Sequence, residues 1–384
     1  MSRFRSVRYR LYPTRKQANL MGSALEGCRF VYNKEVEMCR KAYETCGRIF
    51  NRKDIDEYCE YVLKLDHPRL NEIHPDCISE VSNRVAQAFR KFESEMAGGL
   101  SPELPAFRGP DRYASFSFIK YGGNICLIGN RLRIISIGDV KCVAHRSFEG
   151  HPISCTISRS STGKWFATIS CVQQSIPCKP SADKGPVGID LGLYNLAAFS
   201  DGTVYDNTKL FDRMASEMVK IQRKMSECDT DSDEFRKYKR RLCHLFEHYN
   251  NKMRDEMHKR STEIVESYSM IALEDISVKE LIHSYHTSTG RRNQYSSAWR
   301  MLVEMIEYKA VDSGVQVIFV DSRNTSQICS RCGYYVRKDL GVRVHSCPAC
   351  GFCVDRDINA AMNILNRGLG MQASFSGKGN SQFS

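Results

Sequence analysis

The sequence has no run of about 18 consecutive apolar residues, the least a helix needs to cross a bilayer, which excludes a membrane-spanning helix. No apolar core follows the basic start MSRFRSVRYRLYPTRKQ, so the N-terminus does not read as a secretory signal. Internal repeats are missing too, which sets aside a repeat architecture. Apolar residues are not scarce: at 42% they match a globular chain rather than a disordered one. Disulfide spacing is absent although cysteine is abundant, with 17 in the chain. Most stand singly along periodic segments. Cys28, Cys39, Cys77, Cys126, Cys142, Cys171 and Cys243 are therefore expected to be reduced packing thiols of an intracellular protein, cytoplasmic if its host is a prokaryote.

What is present in excess is positive charge. Lys and Arg number 56 against 44 Asp and Glu, for a net charge of +12. Such a balance favours an anionic partner, most simply nucleic acid, with plain solubility as the bland alternative. At 384 residues the chain is long enough for a large core and two or three domains.

Hydrophobic periodicity divides the chain. Residues 5–12, RSVRYRLY, alternate basic with apolar and predict a half-buried strand with a cationic face. Helical spacing follows from Pro13 to Gly47. It returns over 76–97, where Val81, Val85, Ala88, Phe89 and Phe92 share a face. A Pro/Gly-rich connector (101–113) leads to short strands between 114 and 176: FSFIKY, NICLIG, RLRIISI, ISCTISRS and KWFATISCV. After a linker, 177–186, come an apolar strand holding one aspartate, VGIDLGL (187–193), and strand-like runs around a Ser-Asp-Gly turn. One long charged helical region is expected over 208–268. A strand (270–276), an amphipathic helix (296–314) and another strand (315–321) follow, then a cysteine-rich segment and a helix over 357–367. The tail, 369–384, is expected to be disordered.

Cys329 and Cys332 form one Cys-x-x-Cys pair, Cys347 and Cys350 a second, with residues 333–346 between them. This is near the spacing of a four-cysteine zinc site, in which thiolates converge at about 2.3 Å from one ion. Gly333 and Gly351 follow the second cysteine of each pair, where a tight turn favours positive φ. Cys353 and His345 lie nearby, but neither is expected to replace a ligand. Four protein ligands leave no open position, so such a zinc is structural.

Three carboxylates complete the chemistry. A lone aspartate near a strand is ordinarily a turn or cap residue. Asp190, however, interrupts an apolar strand, where a charge is costly unless paired or metal-bound. Glu274 repeats this at the end of MIALE, and Asp357 opens the helix behind the cysteines. Brought together at strand ends, three like charges need divalent cations. Two Mg²⁺ ions about 3.5–4 Å apart activate water and stabilise the leaving oxygen in phosphodiester cleavage.

These residues resemble the TnpB family of transposon-encoded RNA-guided DNA nucleases, which are related to type V CRISPR effectors and to Fanzor proteins. The resemblance covers nearly the whole chain. YRLYPTRKQ and GCRFVYN look like the family's opening, GIDLGLYNLAAFSDG like its first RuvC motif, and IALEDI like its second. SAWRMLVEMIEYKA and NTSQICSRCG precede the third, DRDINAAMNIL. The resemblance makes Asp190, Glu274 and Asp357 the catalytic, magnesium-binding acids. Of the two aspartates in DRD, it selects the one two residues before Asn359 and leaves Asp355 as a cap or supporting group.

The implied fold is a multidomain α/β protein. A wedge-like β domain (1–13 and 105–180) carries a helical recognition domain (14–104). An RNase H-like RuvC domain (184–320 and 352–368) carries a zinc-ribbon insertion (321–351) that contacts target nucleic acid. Implied partners are a guide RNA from the transposon end and double-stranded target DNA beside a short flanking motif, with the protein monomeric in its RNA complex and no membrane involved. Arg84, Arg90, Lys91, Arg108 and Arg112 are candidate backbone contacts. Phe107, Tyr113, Phe116 and Phe118 read first as core residues, with stacking on bases as their alternative. Two rival functions fit the same motifs: an RNA-guided DNA-binding repressor without cleavage, and a DNA transposase acting without RNA.

Overall fold

Alternation in the first strand sets the plan of the N-terminal half. In a computed structural model, which describes residues 2–174, 183–192, 195–206, 210–275, 291–339 and 341–377, strand β1 (Ser2–Tyr12) buries Val7, Tyr9 and Leu11 and turns Phe4, Arg8 and Tyr12 outward. It is the middle strand of a seven-stranded sheet ordered β2-β6-β7-β1-β5-β4-β3. The other strands are β2 (Ser115–Phe118), β3 (Ile125–Ile128), β4 (Arg131–Ile134), β5 (Gly138–Val143), β6 (His151–Arg159) and β7 (Trp165–Gln174). All its pairings are antiparallel. Between β1 and β2 the chain leaves the sheet as helices α1 (Arg15–Cys46), α2 (Arg52–Tyr58) and α3 (Pro75–Ala97). Their apolar faces share one core with the sheet, in which Met21, Val31, Val85 and Phe89 join Tyr9, Leu11 and Phe116. The start of α1 is set by a capping box between Thr14 and Gln17. β5 was not anticipated, because Gly138 and Asp139 break its short alternation of Val140 and Cys142.

The chain divides into two units, Met1–Ser175 and Ile176–Ser384. The second has a five-stranded sheet ordered β10-β9-β8-β11-β12. Strands β8 (Val187–Asp190), β9 (Asn195–Phe199) and β10 (Val204–Asp206) form antiparallel pairs, whereas β11 (Met270–Glu274) runs parallel to both β8 and β12 (Gln316–Val320). Both faces are covered, which is why these strands read as nearly unbroken apolar runs. Ile189, Ile271 and Leu273 pack towards α5 (Asp233–Ser267) and α6 (Arg291–Ser313), with Met257, Ile264, Leu302 and Ile306. On the opposite face Met270, Ala272, Ile318 and Val320 meet Ile364 of α7 (Arg356–Gly377).

Two expectations need correction. The charged region 208–268 is two helices, α4 (Leu210–Ser226) and α5, because Ser232 caps a fresh start by accepting the N–H of Phe235. The last helix begins at Arg356 and continues to Gly377, past the point where loss of structure was expected; residues 378–384 lie outside the described residues. In keeping with the core reading, Tyr113, Phe116 and Phe118 are buried in the first core, and only Phe107 of that group is exposed. Most of the linker, 177–182, also lies outside the described residues.

Candidate functional site

Strand register places the acids. Leu273 pairs with Ile189 across the parallel β8–β11 ladder, so the next residues, Asp190 and Glu274, end adjacent strands side by side. Side chains alternate in a strand, so Gly188 and Asp190 face the same side as Ala272 and Glu274, the side covered by α7. There α7 lies directly on β8. A Cβ on Gly188 would collide with the carbonyl oxygen of Ala361 and the amide nitrogen of Leu365, so only glycine admits the helix at this depth. Two residues along β8 from Gly188 is Asp190, about 6.6 Å on. Four residues back along α7 from Ala361 is Asp357, about 6 Å on. Both carboxylates therefore lie over the end of the sheet, near enough for their charges to interact, and Asp357 Oδ2 lies 3.8 Å from where a Cβ of Gly192 would stand.

Electrostatics agree with the geometry. Burial pushes the Asp190 carboxyl well above the ordinary carboxylate range, and the charges of Glu274 and Asp357 push it further, against the pull of Arg356 and Arg343. Burial also raises Glu274, and Asp321 adds to the effect. The Thr325 hydroxyl and Arg367 work the other way. Asp357 is 5% exposed. Its Oδ2 accepts from Arg343 at 2.8 Å and its Oδ1 from Arg356 at 3.4 Å. Asp355 has the capping role expected of it, accepting the N–H groups of Asp357 at 2.8 Å and Ile358 at 3.3 Å.

The cysteine segment stands between β12 and α7. The Sγ atoms of Cys329, Cys332, Cys347 and Cys350 all lie within 4.8 Å of one another. Cys329 and Cys350 are 3.7 Å apart, Cys332 and Cys347 3.6 Å. A tetrahedron with metal–sulfur bonds of 2.3 Å has edges of about 3.8 Å, so the donor set fits one tetrahedral ion. Each knuckle is closed by a glycine N–H, Gly333 to the carbonyl of Cys329 and Gly351 to that of Cys347, both at 2.9 Å and both glycines at positive φ. Burial opposes a thiolate at Cys347, but the N–H groups of Cys350 and Ala349 outweigh it and bring the thiol down to about 7. Cys353 is exposed and outside the cluster, and His345 is buried against Lys338. Among the described residues, only these four cysteines come so close as a set of potential ligands. The three acids are set further apart, with Asp357 turned to its arginines.

The ribbon is bonded to the acids in ways the sequence did not announce. A two-stranded ladder, β13 (Val344–Ser346) with β14 (Cys353–Asp355), brings Arg343 opposite Arg356 and so onto Asp357. Thr325 donates from Oγ1 to Glu274 Oε1 at 2.8 Å. Asn359 and Asn363, buried on α7, hold the carbonyl of Ile328 at 2.8 and 2.7 Å. Short polar residues are common in loops and helices, and nothing in their spacing marks them.

The basic candidates lie in the other unit. Arg84 is engaged within it: its guanidinium donates to Ser115 O at 3.0 Å and Ser117 Oγ at 2.9 Å and pairs with Glu80 at 3.5 Å. It ties α3 to β2. Arg90, Lys91, Arg108 and Arg112 are exposed, Lys91 beside Glu95 at 3.7 Å.

Taken together, this is a mixed α/β multidomain chain with one buried and two half-buried acids at the end of a sheet and a four-cysteine cluster able to hold a metal. Comparison with known proteins shows what the chain is similar to. Residues 170–284 match the family described as "Probable transposase", and residues 299–364 match "Cas12f1-like, TNB domain". Residues 1–48 match a family described as "Helix-turn-helix domain", although here they form β1 and the single long helix α1. A putative RNA-guided DNA endonuclease of Streptomyces pristinaespiralis is 27% identical over 96% of this chain and 90% of its own length. The putative RNA-guided DNA endonuclease InsQ of Escherichia coli K12 is 25% identical over 96% and 93%. TnpB-like protein L79 of Acanthamoeba polyphaga mimivirus is 33% identical over 35% of this chain and 25% of that protein. The chain is thus similar, over nearly its whole length, to proteins named RNA-guided DNA endonucleases and, over part of it, to TnpB-like proteins.

Proposed function

We propose that the protein is an RNA-guided DNA endonuclease that cuts DNA complementary to its guide RNA, next to a short flanking motif, by metal-dependent RuvC chemistry. The observation that carries this reading is the convergence of Asp190, Glu274 and Asp357 at the end of the second sheet. Its strand order, two antiparallel hairpins followed by parallel β11 and β12, is that of an RNase H-like domain and supports a RuvC assignment for residues 184–320 and 352–368. The N-terminal sheet with its helical insertion supports wedge and recognition domains, and residues 321–351 a zinc ribbon held by Cys329, Cys332, Cys347 and Cys350.

The donor set suits Mg²⁺. Hard carboxylate oxygens are its preferred ligands, and the mutual repulsion that raises Asp190 is what a divalent ion would offset. Bound there, Mg²⁺ would lower the pKa of a water nucleophile and stabilise charge on the leaving oxygen. Asp190 and Glu274 supply ligands from a rigid sheet. Asp357 supplies one from the helix, with Arg343 and Arg356 fixing its orientation. The cap at Asp355 sets where that helix begins. Guide pairing would choose the sequence, while basic surface holds phosphates without reading bases.

The test separates cutting from binding. Asp190→Ala should abolish guided cleavage in Mg²⁺ and leave guided DNA binding close to wild type. Cleavage by this variant at near wild-type rate would remove Asp190 from the site. The rival reading as a repressor requires wild-type protein that binds guided DNA and never cuts it.

A further inference from the structure

We propose that Thr325 is a positioning residue for Glu274, holding one oxygen of that carboxylate so that it enters the divalent-cation site in a single orientation. This rests on the reading of the three acids as that site, and deepens it. Thr325 lies in the turn between β12 and the first cysteine pair and is 4% exposed. Its Oγ1 is 2.8 Å from Glu274 Oε1 and 3.0 Å from the carbonyl of Ser322. With Oε1 engaged by Thr325, Oε2 is the oxygen that remains to serve a cation. A glutamate at the end of a strand has three side-chain torsions, and ordering them on binding an ion costs free energy unless something has already ordered them. Thr325 does this with a neutral donor. A lysine or arginine in its place would neutralise the charge the cation needs. A β-branched threonine has few χ1 choices and keeps its hydroxyl aimed.

The turn is itself fixed to the helix that bears Asp357. Asn363 Nδ2 donates to the carbonyl of Thr325 at 2.8 Å and to that of Ile328 at 2.7 Å. One turn earlier, Asn359 Nδ2 donates to the carbonyl of Ile328 at 2.8 Å, and its Oδ1 accepts the N–H of Ser330 at 3.0 Å. Residues 325–330, which include Cys329, are thereby bolted to α7 at both ends. Glu274 from the sheet and Asp357 from the helix are referenced to the same short turn. Thr325, Asn359 and Asn363 are all buried, and each spends its polar atoms on this junction. Supporting bonds of this kind around metal sites typically change affinity by about 10- to 100-fold when removed.

The experiment uses the full chain with its bound RNA and Fe²⁺ as the probe ion. With ascorbate and peroxide, bound Fe²⁺ cuts the backbone next to its ligands. Cuts near residues 190 and 274 therefore report occupancy of this site whether or not DNA is cleaved. Thr325→Val should need about tenfold more Fe²⁺ for half-maximal cutting there. Thr325→Ser, which keeps the hydroxyl, should stay near wild type, and Glu274→Gln should lose the cuts. Wild-type Fe²⁺ dependence in Thr325→Val, or an equal loss in Thr325→Ser, overturns the proposal. Persistence of the cuts in Asp190→Ala and Glu274→Gln overturns the site itself, and is distinguishable because it does not involve Thr325.

Discussion

Burying a carboxylate is expensive, and the chain does it in two different settings. At Asp190 the cost comes with neighbours of like charge, at a strand end where an ion can enter. At Glu35 it comes with almost none. Glu35 is wholly buried in α1, on the face shared by Val31, Val36 and Cys39. Its Oε1 accepts from Ser82 at 2.7 Å, while Oε2 has no hydrogen-bond partner. Burial pushes it up to about 8 from an ordinary 4.5, with Ser82 opposing and Asp56 adding. The folded protein thus holds a proton that the unfolded chain has released between those two values. Stability contributed by this group is full below about 4.5 and is lost as pH rises through about 8. Glu35→Gln should be more stable than wild type above pH 8 by on the order of a few kcal/mol, with the difference shrinking towards pH 5. Urea unfolding of both proteins at several pH values checks this, and parallel curves would contradict it. A second comparison concerns the DRD motif. Asp357→Ala should be inactive in guided cleavage and Asp355→Ala only impaired, because Asp355 caps the helix rather than facing Asp190. The reverse ranking would make Asp355 the catalytic acid. Asp190 was legible as an acid inside an apolar strand, and Glu35 leaves the same trace, an acid inside a helical apolar stripe. Thr325, Asn359 and Asn363 left none, since their value lies in partners far away in sequence. Arg84 looked like a surface cation because periodicity cannot tell a solvated face from one laid against another strand.

Elements set the distance between the acids. The close seat of α7 on β8 depends on Gly188, where any side chain would meet backbone atoms that cannot rotate away. Gly188→Ala should therefore shift the helix and move Asp357 from Asp190. A displacement of about 1 Å can cost about a hundredfold in rate. Single-turnover cleavage should fall by that order while guided DNA binding is retained; unchanged cleavage would show that the helix position is not critical. The ribbon acts at the same scale. One zinc per chain is expected by elemental analysis, and Cys347→Ser should lose it. Because binding energy at such sites is also folding energy, the segment 329–350 should then become open to proteolysis. Fully active protein without zinc would contradict this. Apolar runs and knuckle spacing made the second sheet and the ribbon readable in the sequence. β5 was missed because its alternation spans only two inward residues. The break before α5 was missed because it rests on one serine cap inside a continuously charged stretch.

For the whole molecule, the central claim is that RNA chooses where the acids act. A net charge of +12 provides phosphate affinity that should weaken steeply with salt, since each neutralised phosphate releases counterions. Charge holds a nucleic acid without naming a sequence. Pairing with a guide would supply that information instead. The most direct measurement keeps the protein constant and replaces only the guide portion of its RNA. A DNA carrying both the old and the new complementary sites, each beside the flanking motif, is then incubated with the complex in Mg²⁺. Cleavage should move to the newly complementary site. Cutting that stays at the old site, or equal cutting by RNA-free protein, would contradict the account.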